Sequence, residues 1–274
     1  MDLILDKVIL TEKQNPASIN IDSLSSREIV EIINNEDQKV ALAVRETLDD
    51  IAKAVDIITK SFQEDGHLLY FGAGTSGRLG VLDASECPPT FSVSPDMVRG
   101  YIAGGDTALR FAVEGAEDSF EGGEQDLVNS GTIAKDVVVG ISASGNAPYI
   151  LGVLSKAQAL NIKTVGIACN KEAKIKQYSD VFICPEVGPE VITGSTRMKA
   201  GTAQKMVLNM LTTASMIRLG KTYKNYMIDL NPTNAKLKDR ATRILSEIAQ
   251  ISYEEAAEVL IRHNWHLRDA LKKF

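Results

Sequence analysis

Two loops rich in glycine and hydroxyl groups, and two glutamates, are the residues of this chain best suited to chemistry. The first loop, Gly72-Ala73-Gly74-Thr75-Ser76-Gly77, follows the apolar run Leu68 to Phe71 and precedes a helical pattern that resumes at Arg78. Glycines let backbone N–H groups approach an anion, and a helix N-terminus adds its orphan donors and the positive end of its dipole. The second loop, Ser142-Ala143-Ser144-Gly145-Asn146, again follows a strand-like run and precedes a helix opened by Pro148, a residue suited to a first helical turn. Two such strand ends in one sheet predict a shared phosphate crevice. Its donors would be Gly74, Thr75, Ser76, Ser142, Ser144 and Asn146. The serines could also cap helices, a role that uses the same orphan N–H groups.

The glutamates are Glu86, in Asp83-Ala84-Ser85-Glu86-Cys87-Pro88-Pro89, and Glu117, in Ala112-Val113-Glu114-Gly115-Ala116-Glu117-Asp118. One βα unit separates them, so both are expected to reach the same end of the sheet. Carboxylates held in different environments can divide acid and base duties. Asp118 and Glu121 read as solvated charge. Cys87, with no histidine in reach by sequence, reads as a small packed residue rather than a nucleophile.

The first loop also fits G-x-G-x-x-G, but a dinucleotide site needs an acidic residue at the tip of the next strand, about 20 residues on. The next strand-like run, Met97 to Ala103, ends in Gly104-Gly105, and Asp106 comes too late. A small phosphorylated molecule fits better, with an unliganded glycine turn as the plain alternative. The histidines are only His67, His263 and His266, and no Walker lysine motif is present. No metal site and no cofactor is therefore expected.

The elements that would position these residues alternate. Strand-like runs at His67–Phe71, Met97–Ala103, Asp136–Ser142, Lys163–Cys169 and Asp180–Cys184 are separated by helical stretches at Arg78–Ala84, Thr107–Asn129 and Ala147–Leu160. Continuous apolar strands between helices predict an α/β fold with a parallel sheet covered on both faces. Amphipathic runs precede it (Arg27–Asn34 and Asp37–Phe62), and a long helical pattern, Arg197–Leu219, follows. Asn231-Pro232-Thr233-Asn234 marks a boundary. Beyond it, Ala235–Ala249, Tyr253–His263 and Trp265–Lys273 predict a three-helix unit packed on its own domain or on a dimer mate. The expected division is a helical arm over 1–57, a central domain over 58–221, and a linker with the three-helix unit over 222–274.

With 30 basic and 36 acidic residues in 274, a net charge of −6, the chain is not suited to nucleic acid or an anionic membrane. No apolar run approaches the ~20 residues needed to span a bilayer. Met1-Asp2-Leu3-Ile4-Leu5-Asp6 lacks a basic leader region, and three cysteines without a close pair suit a reducing cytoplasm.

Three stretches together are highly specific: Gly72 to Pro89, Ala112 to Asp118, and Gly194-Ser195-Thr196-Arg197-Met198-Lys199-Ala200-Gly201-Thr202-Ala203-Gln204-Lys205. With them the chain resembles the N-acetylmuramic acid 6-phosphate etherases, from about Asn15 to the C-terminal helices. It is also similar to glucokinase regulatory proteins around Gly188-Pro189-Glu190 and Gly194 to Lys199. The resemblance implies a three-layer α/β/α sugar isomerase (SIS) domain with a five-stranded parallel sheet, N-terminal helices and a small C-terminal three-helix unit, as a homodimer. It further implies a lyase that releases D-lactate from a phosphosugar. Glu86 would be the proton donor and Glu117 the second active-site glutamate, with Ser195 and Lys199 added to the substrate-binding set. An aldose–ketose isomerase and a phosphosugar-sensing regulator remain alternatives of the same fold.

Overall fold

The computed structural model describes residues 10–230, 232 and 234–274. The reading of Met1 to Asp6, and the parts of the 231–234 boundary that fall on Asn231 and Thr233, lie outside the described residues. Helices α1 (Ser26–Arg45) and α2 (Leu48–Gln63) lead into β1 (Leu68–Gly72), α3 (Gly74–Phe91) and β2 (Val98–Ile102). Then come α4 (Thr107–Arg110), α5 (Phe120–Asn129), β3 (Val137–Ile141), α6 (Pro148–Ala159), β4 (Lys163–Ile167), β5 (Val181–Ile183) and α7 (Lys199–Arg218). A two-residue hairpin, β6 (Thr222–Tyr223) and β7 (Tyr226–Met227), precedes α8 (Ala235–Ala249), α9 (Tyr253–Arg262) and α10 (Leu267–Leu271).

The five long strands form one parallel sheet in the order β2-β1-β3-β4-β5. Alternation along β1 sends Leu68 and Tyr70 to one face and Leu69 and Phe71 to the other. The first face is covered by α1, α2, α3 and α7, through Val44, Ile58, Cys87 and Leu211. The second is covered by α5 and α6, through Leu127, Ile150 and Leu154. This is the expected three-layer architecture with five parallel strands. The expected division at residue 57 falls inside α2, whose Ile51, Ile58 and Phe62 belong to the same core as the sheet.

Several element bounds differ from the sequence reading, each for a physical reason. Helix α3 starts at Gly74 rather than Arg78 and runs through Pro88 and Pro89 to Phe91. The prolines remove two intrahelical donors, yet burial of Ala84, Cys87 and Phe91 holds the last turns in the core. The stretch expected as one helix over Thr107–Asn129 breaks after α4. Gly115 adopts φ 73°, Ala116–Asp118 forms a 3₁₀ turn, and the Ser119 side chain accepts from Gly122 N to cap α5.

The C-terminal helices enclose their own core, which includes Leu230, Leu245, Leu260, Leu267 and Ala270. Arg268 donates to both carboxylate oxygens of Asp229 within this unit and ties it back to the central domain through the Gly220 carbonyl.

Candidate active site

The two loops meet because β1 and β3 are neighbours in register, with Gly72 opposite Ile141. The loop after each strand therefore opens at the same edge of the sheet. The turn out of β1 depends on a close strand–helix approach. A Cβ at Gly72 would lie 2.4 Å from Gly77 N, and one at Gly77 would lie 2.6 Å from Ile102 Cγ1. That approach places Gly74, Thr75 and Ser76 in the first turn of α3, with their free N–H groups at the crevice.

One cavity is lined by Gly74, Thr75, Ser76, Ser142, Ser144 and Glu117. Six of the ten candidate residues are thus brought together. Ser142 Oγ accepts from Gly145 N at 3.0 Å, and Ser144 Oγ accepts from Asn146 N at 3.2 Å. Both serines thus brace their own loop rather than cap α6, and their hydroxyl protons can be donated to a ligand oxygen. Ser76 donates to Gln204 Oε1 of α7 at 2.9 Å. Among the described residues, no Lys, Arg or His lines this cavity. The donors this cavity offers are hydroxyls, backbone N–H groups and a helix N-terminus, the groups that suit an anion.

Glu117 reaches the crevice because of the break between α4 and α5. Arg78 secures α4 ahead of that break, donating to the carbonyls of Leu109 at 3.0 Å and Ala108 at 2.7 Å. Burial pushes the Glu117 carboxyl above the ordinary glutamate range, and the neighbouring Asp118 charge adds to the rise. Glu117 is exposed at the mouth of the crevice, so only part of its carboxyl is desolvated, and a raised carboxyl beside a ligand cavity is a candidate for proton transfer.

The other four candidates stand elsewhere. Asn146 is occupied by a distant segment, its Oδ1 accepting from Lys174 N, in the turn after β4, at 3.0 Å. Ser195 is half-buried beside the cavity, whose wall is formed by the next residue, Thr196. Lys199 is 1% exposed, and its Nζ donates to Glu36 Oε2 at 2.6 Å. Its ammonium is committed to an interior ion pair rather than presented to the crevice. The buried Glu190 carboxylate meanwhile accepts from Lys199 N and Ala200 N, each at 2.9 Å. The N-terminus of α7 already holds an anion.

The expectation that Glu86 and Glu117 share one end of the sheet is corrected within a single chain. Glu86 is exposed and lies on α3 twelve residues beyond Gly74, a rise of about 18 Å along the helix axis. It lines a second cavity, between α3 and α7, with Leu82, Asp83, Lys205 and Asn209. Asp83 is buried there, accepting from Tyr70 Oη at 3.0 Å and Thr212 Oγ1 at 3.2 Å, and burial raises its carboxyl pKa. Cys87 is packed, its thiol pushed up to about 12 by burial first and then by Asp83. Among the described residues no group of three His, Cys, Asp or Glu side chains is placed to hold a metal.

Sequence reasoning does not single out Glu12 and Thr196, which complete the cavity wall, nor Gln204 and Arg78, which stand behind it. Arg78, Thr196 and Gln204 all belong to the stretches that carry the family resemblance, whereas Glu12 stands outside them.

Family models for the N-terminal SIS domain of glucokinase regulatory protein, the SIS domain, and the C-terminal lid domain of glucokinase regulatory protein match residues 50–158, 117–214 and 224–273. The chain is 56% identical over 252 residues to an N-acetylmuramic acid 6-phosphate etherase of Glaesserella parasuis, covering 92% of this chain and 83% of that protein. It is 51% identical over 268 residues to the corresponding protein of Shouchella clausii, covering 98% and 90%. Among solved structures, the phosphoheptose isomerase of Neisseria gonorrhoeae superposes with a TM-score of 0.54 at 17% identity, over 70% of this chain and 98% of that one. That last likeness is one of fold.

Proposed function

The chain belongs to the N-acetylmuramic acid 6-phosphate etherases, and from that premise we propose which of its residues do the work. The protein is a carbon–oxygen lyase of cell-wall amino sugar catabolism. It cleaves the D-lactyl ether of N-acetylmuramic acid 6-phosphate to N-acetylglucosamine 6-phosphate and D-lactate. The 6-phosphate sits on Gly74, Thr75, Ser76, Ser142 and Ser144, at the N-terminus of α3. In the ring-opened sugar the C1 aldehyde acidifies the C2 proton. Glu117, on the same crevice wall, takes that proton while lactate leaves C3, and water then adds across the double bond. The observation that carries this reading is that a carboxyl of raised pKa shares a cavity with the anion-binding hydroxyls.

Glu86 enters through a second subunit. The proton donor implied by the resemblance is about 18 Å along α3 from its own crevice, on an exposed face with Leu82 at 49% exposure. A two-fold dimer that packs this face would bring Glu86 to the partner's crevice, each subunit completing the other's site. Cys87, Cys169 and Cys184 are free thiols, which supports a reducing, cytoplasmic setting. Among the described residues no helix is long and apolar enough to cross a membrane.

The test is turnover of N-acetylmuramic acid 6-phosphate in heavy-oxygen water. Elimination and hydration place the solvent oxygen at C3 of the sugar and leave the ether oxygen in D-lactate. Label recovered in lactate would overturn the elimination route and the acid–base roles with it.

A further inference from the structure

The site holds a carboxylate that neither the phosphate-binding residues nor the two glutamates account for. Glu12 lines the same cavity as Ser76, Glu117 and Ser144, although it lies in a segment that precedes every α-helix of the fold. What places it there is a strap over residues 10–23. Asn15 is buried and donates through Nδ2 to Glu36 Oε2 at 3.0 Å and to the Pro189 carbonyl at 3.1 Å. Ser18, also buried, donates to the Val191 carbonyl at 2.7 Å. Thr11 has no exposed surface. The strap is thereby stitched to the loop leading into α7, and Glu12 is laid against that loop. Gly194 makes room for it: its φ is 76°, and a Cβ there would come within 3.1 Å of Glu12 Oε2.

A free carboxylate beside an anion site is a liability if it faces the anion, since like charges at short range repel. Among the described residues the wall contains no cation to neutralise it. The same carboxylate is an asset if it faces the other end of the ligand. A carboxylate only accepts hydrogen bonds, and a sugar presents hydroxyl and amide N–H donors. We propose that Glu12 is a substrate-contacting specificity residue, carried into the crevice by the N-terminal strap, that accepts hydrogen bonds from the donor groups of the sugar while the cradle holds its phosphate. The assignment rests on the etherase reading of this crevice. It explains how a cradle whose phosphate donors are hydroxyls and N–H groups distinguishes a phosphosugar from free phosphate: beyond Glu117, the sugar gains a further acceptor, and inorganic phosphate meets a further negative charge.

The experiment compares wild type with Glu12→Gln and Glu12→Ala by calorimetry, using N-acetylglucosamine 6-phosphate and inorganic phosphate as probes. Glu12 is exposed, so both variants should fold, and thermal melting checks this. For Glu12→Ala, the sugar phosphate should bind roughly tenfold weaker or worse, the size of one hydrogen bond to a charged group. Inorganic phosphate should bind as well as before or more tightly. With N-acetylmuramic acid 6-phosphate, KM should rise more than kcat falls. Ser18→Ala, which frees the strap without touching the cavity, should shift both probes in the same directions by a smaller factor. Unchanged binding of the sugar phosphate, or tighter binding of both probes, would overturn the proposal. A wild type that discriminates the two probes through Glu12 yet releases no lactate would uphold it and overturn the etherase reading instead.

Discussion

The Ser76 hydroxyl lies 2.9 Å from Gln204 Oε1, which joins the first turn of α3 to the second turn of α7 beneath the crevice. Gln204 is 1% exposed, and its Nε2 has no hydrogen-bond partner among the described residues. A buried donor left unmade costs about 1–3 kcal/mol. Turning the amide over would let Nε2 donate to Ser76 Oγ and release the serine proton toward a ligand oxygen. The interior thus holds a donor in reserve behind the hydroxyl-lined cavity.

Gln204→Leu should therefore weaken phosphosugar binding by roughly tenfold, the loss of one charge-assisted hydrogen bond. Removing the unmade buried donor offsets the lost Ser76 hydrogen bond, so the melting temperature should change little. Ser76→Ala should weaken binding by a similar factor, and the double variant should be no worse than either single one, because the two groups act as a unit. Additive losses in calorimetry would show that Gln204 does not act through Ser76.

Lys199 and Glu36 should decide stability rather than catalysis. Burial pushes the Glu36 carboxyl up, but hydrogen bonds from Lys199, Lys39 and Asn15 outweigh it and bring the pKa down to about 2. A carboxyl depressed in the folded state contributes stability above its ordinary pKa, and that contribution fades as pH falls toward the folded value. Melting temperature should thus decline between about pH 4.5 and pH 2 in wild type, and less steeply in Glu36→Gln, where no carboxyl remains to titrate. Lys199→Met leaves a buried carboxylate with fewer partners and should cost about 3–5 kcal/mol in denaturant unfolding. A Lys199→Met protein of normal stability with lost phosphosugar affinity would return this lysine to the binding site.

The crevice is legible in the sequence because both loops follow strands directly, and two strand ends of one parallel sheet share an edge whichever helices surround them. Glu117 is legible as a candidate, but the reason it reaches the crevice is not. The break that frees it carries Gly115 at positive φ and follows an α4 that Arg78 pins by two carbonyls about thirty positions away. Reading the helix from Arg78 sets Glu86 too near the crevice, because it hides the distance the helix covers between Gly74 and Glu86. Lys199 misleads for a different reason. Its partner, Glu36, is 163 positions away, and no local pattern reveals such a pair.

Glu117 should set the acid limb of activity. Its carboxyl keeps its proton to a higher pH than an ordinary glutamate, through burial first and the Asp118 charge second. The base form is then lost sooner on acidification, so the limb in kcat/KM should lie above the ordinary glutamate value of 4.5. In Asp118→Asn the carboxylate is no longer opposed by a neighbouring charge, and the limb should move to lower pH. A limb that stays in place in Asp118→Asn would assign the titration to another group.

A shared site makes a sharper demand of Glu86. Glu86→Gln and Glu117→Gln are nearly isosteric, and each should reduce lactate release by at least ~10² while the protein stays folded. If Glu86 serves the partner's crevice, each mixed dimer of the two variants contains one crevice with both glutamates intact and one with neither. Random reassortment makes about half of the dimers mixed, so the mixture should recover roughly a quarter of wild-type turnover. If each subunit used its own Glu86, every crevice in the mixture would still lack one carboxylate, and no activity would return. Co-purification of differently tagged variants confirms that subunits have exchanged. Exchange without recovery would then assign Glu86 a role within its own subunit or remove it from the mechanism, while recovery places the reaction between two copies of the chain.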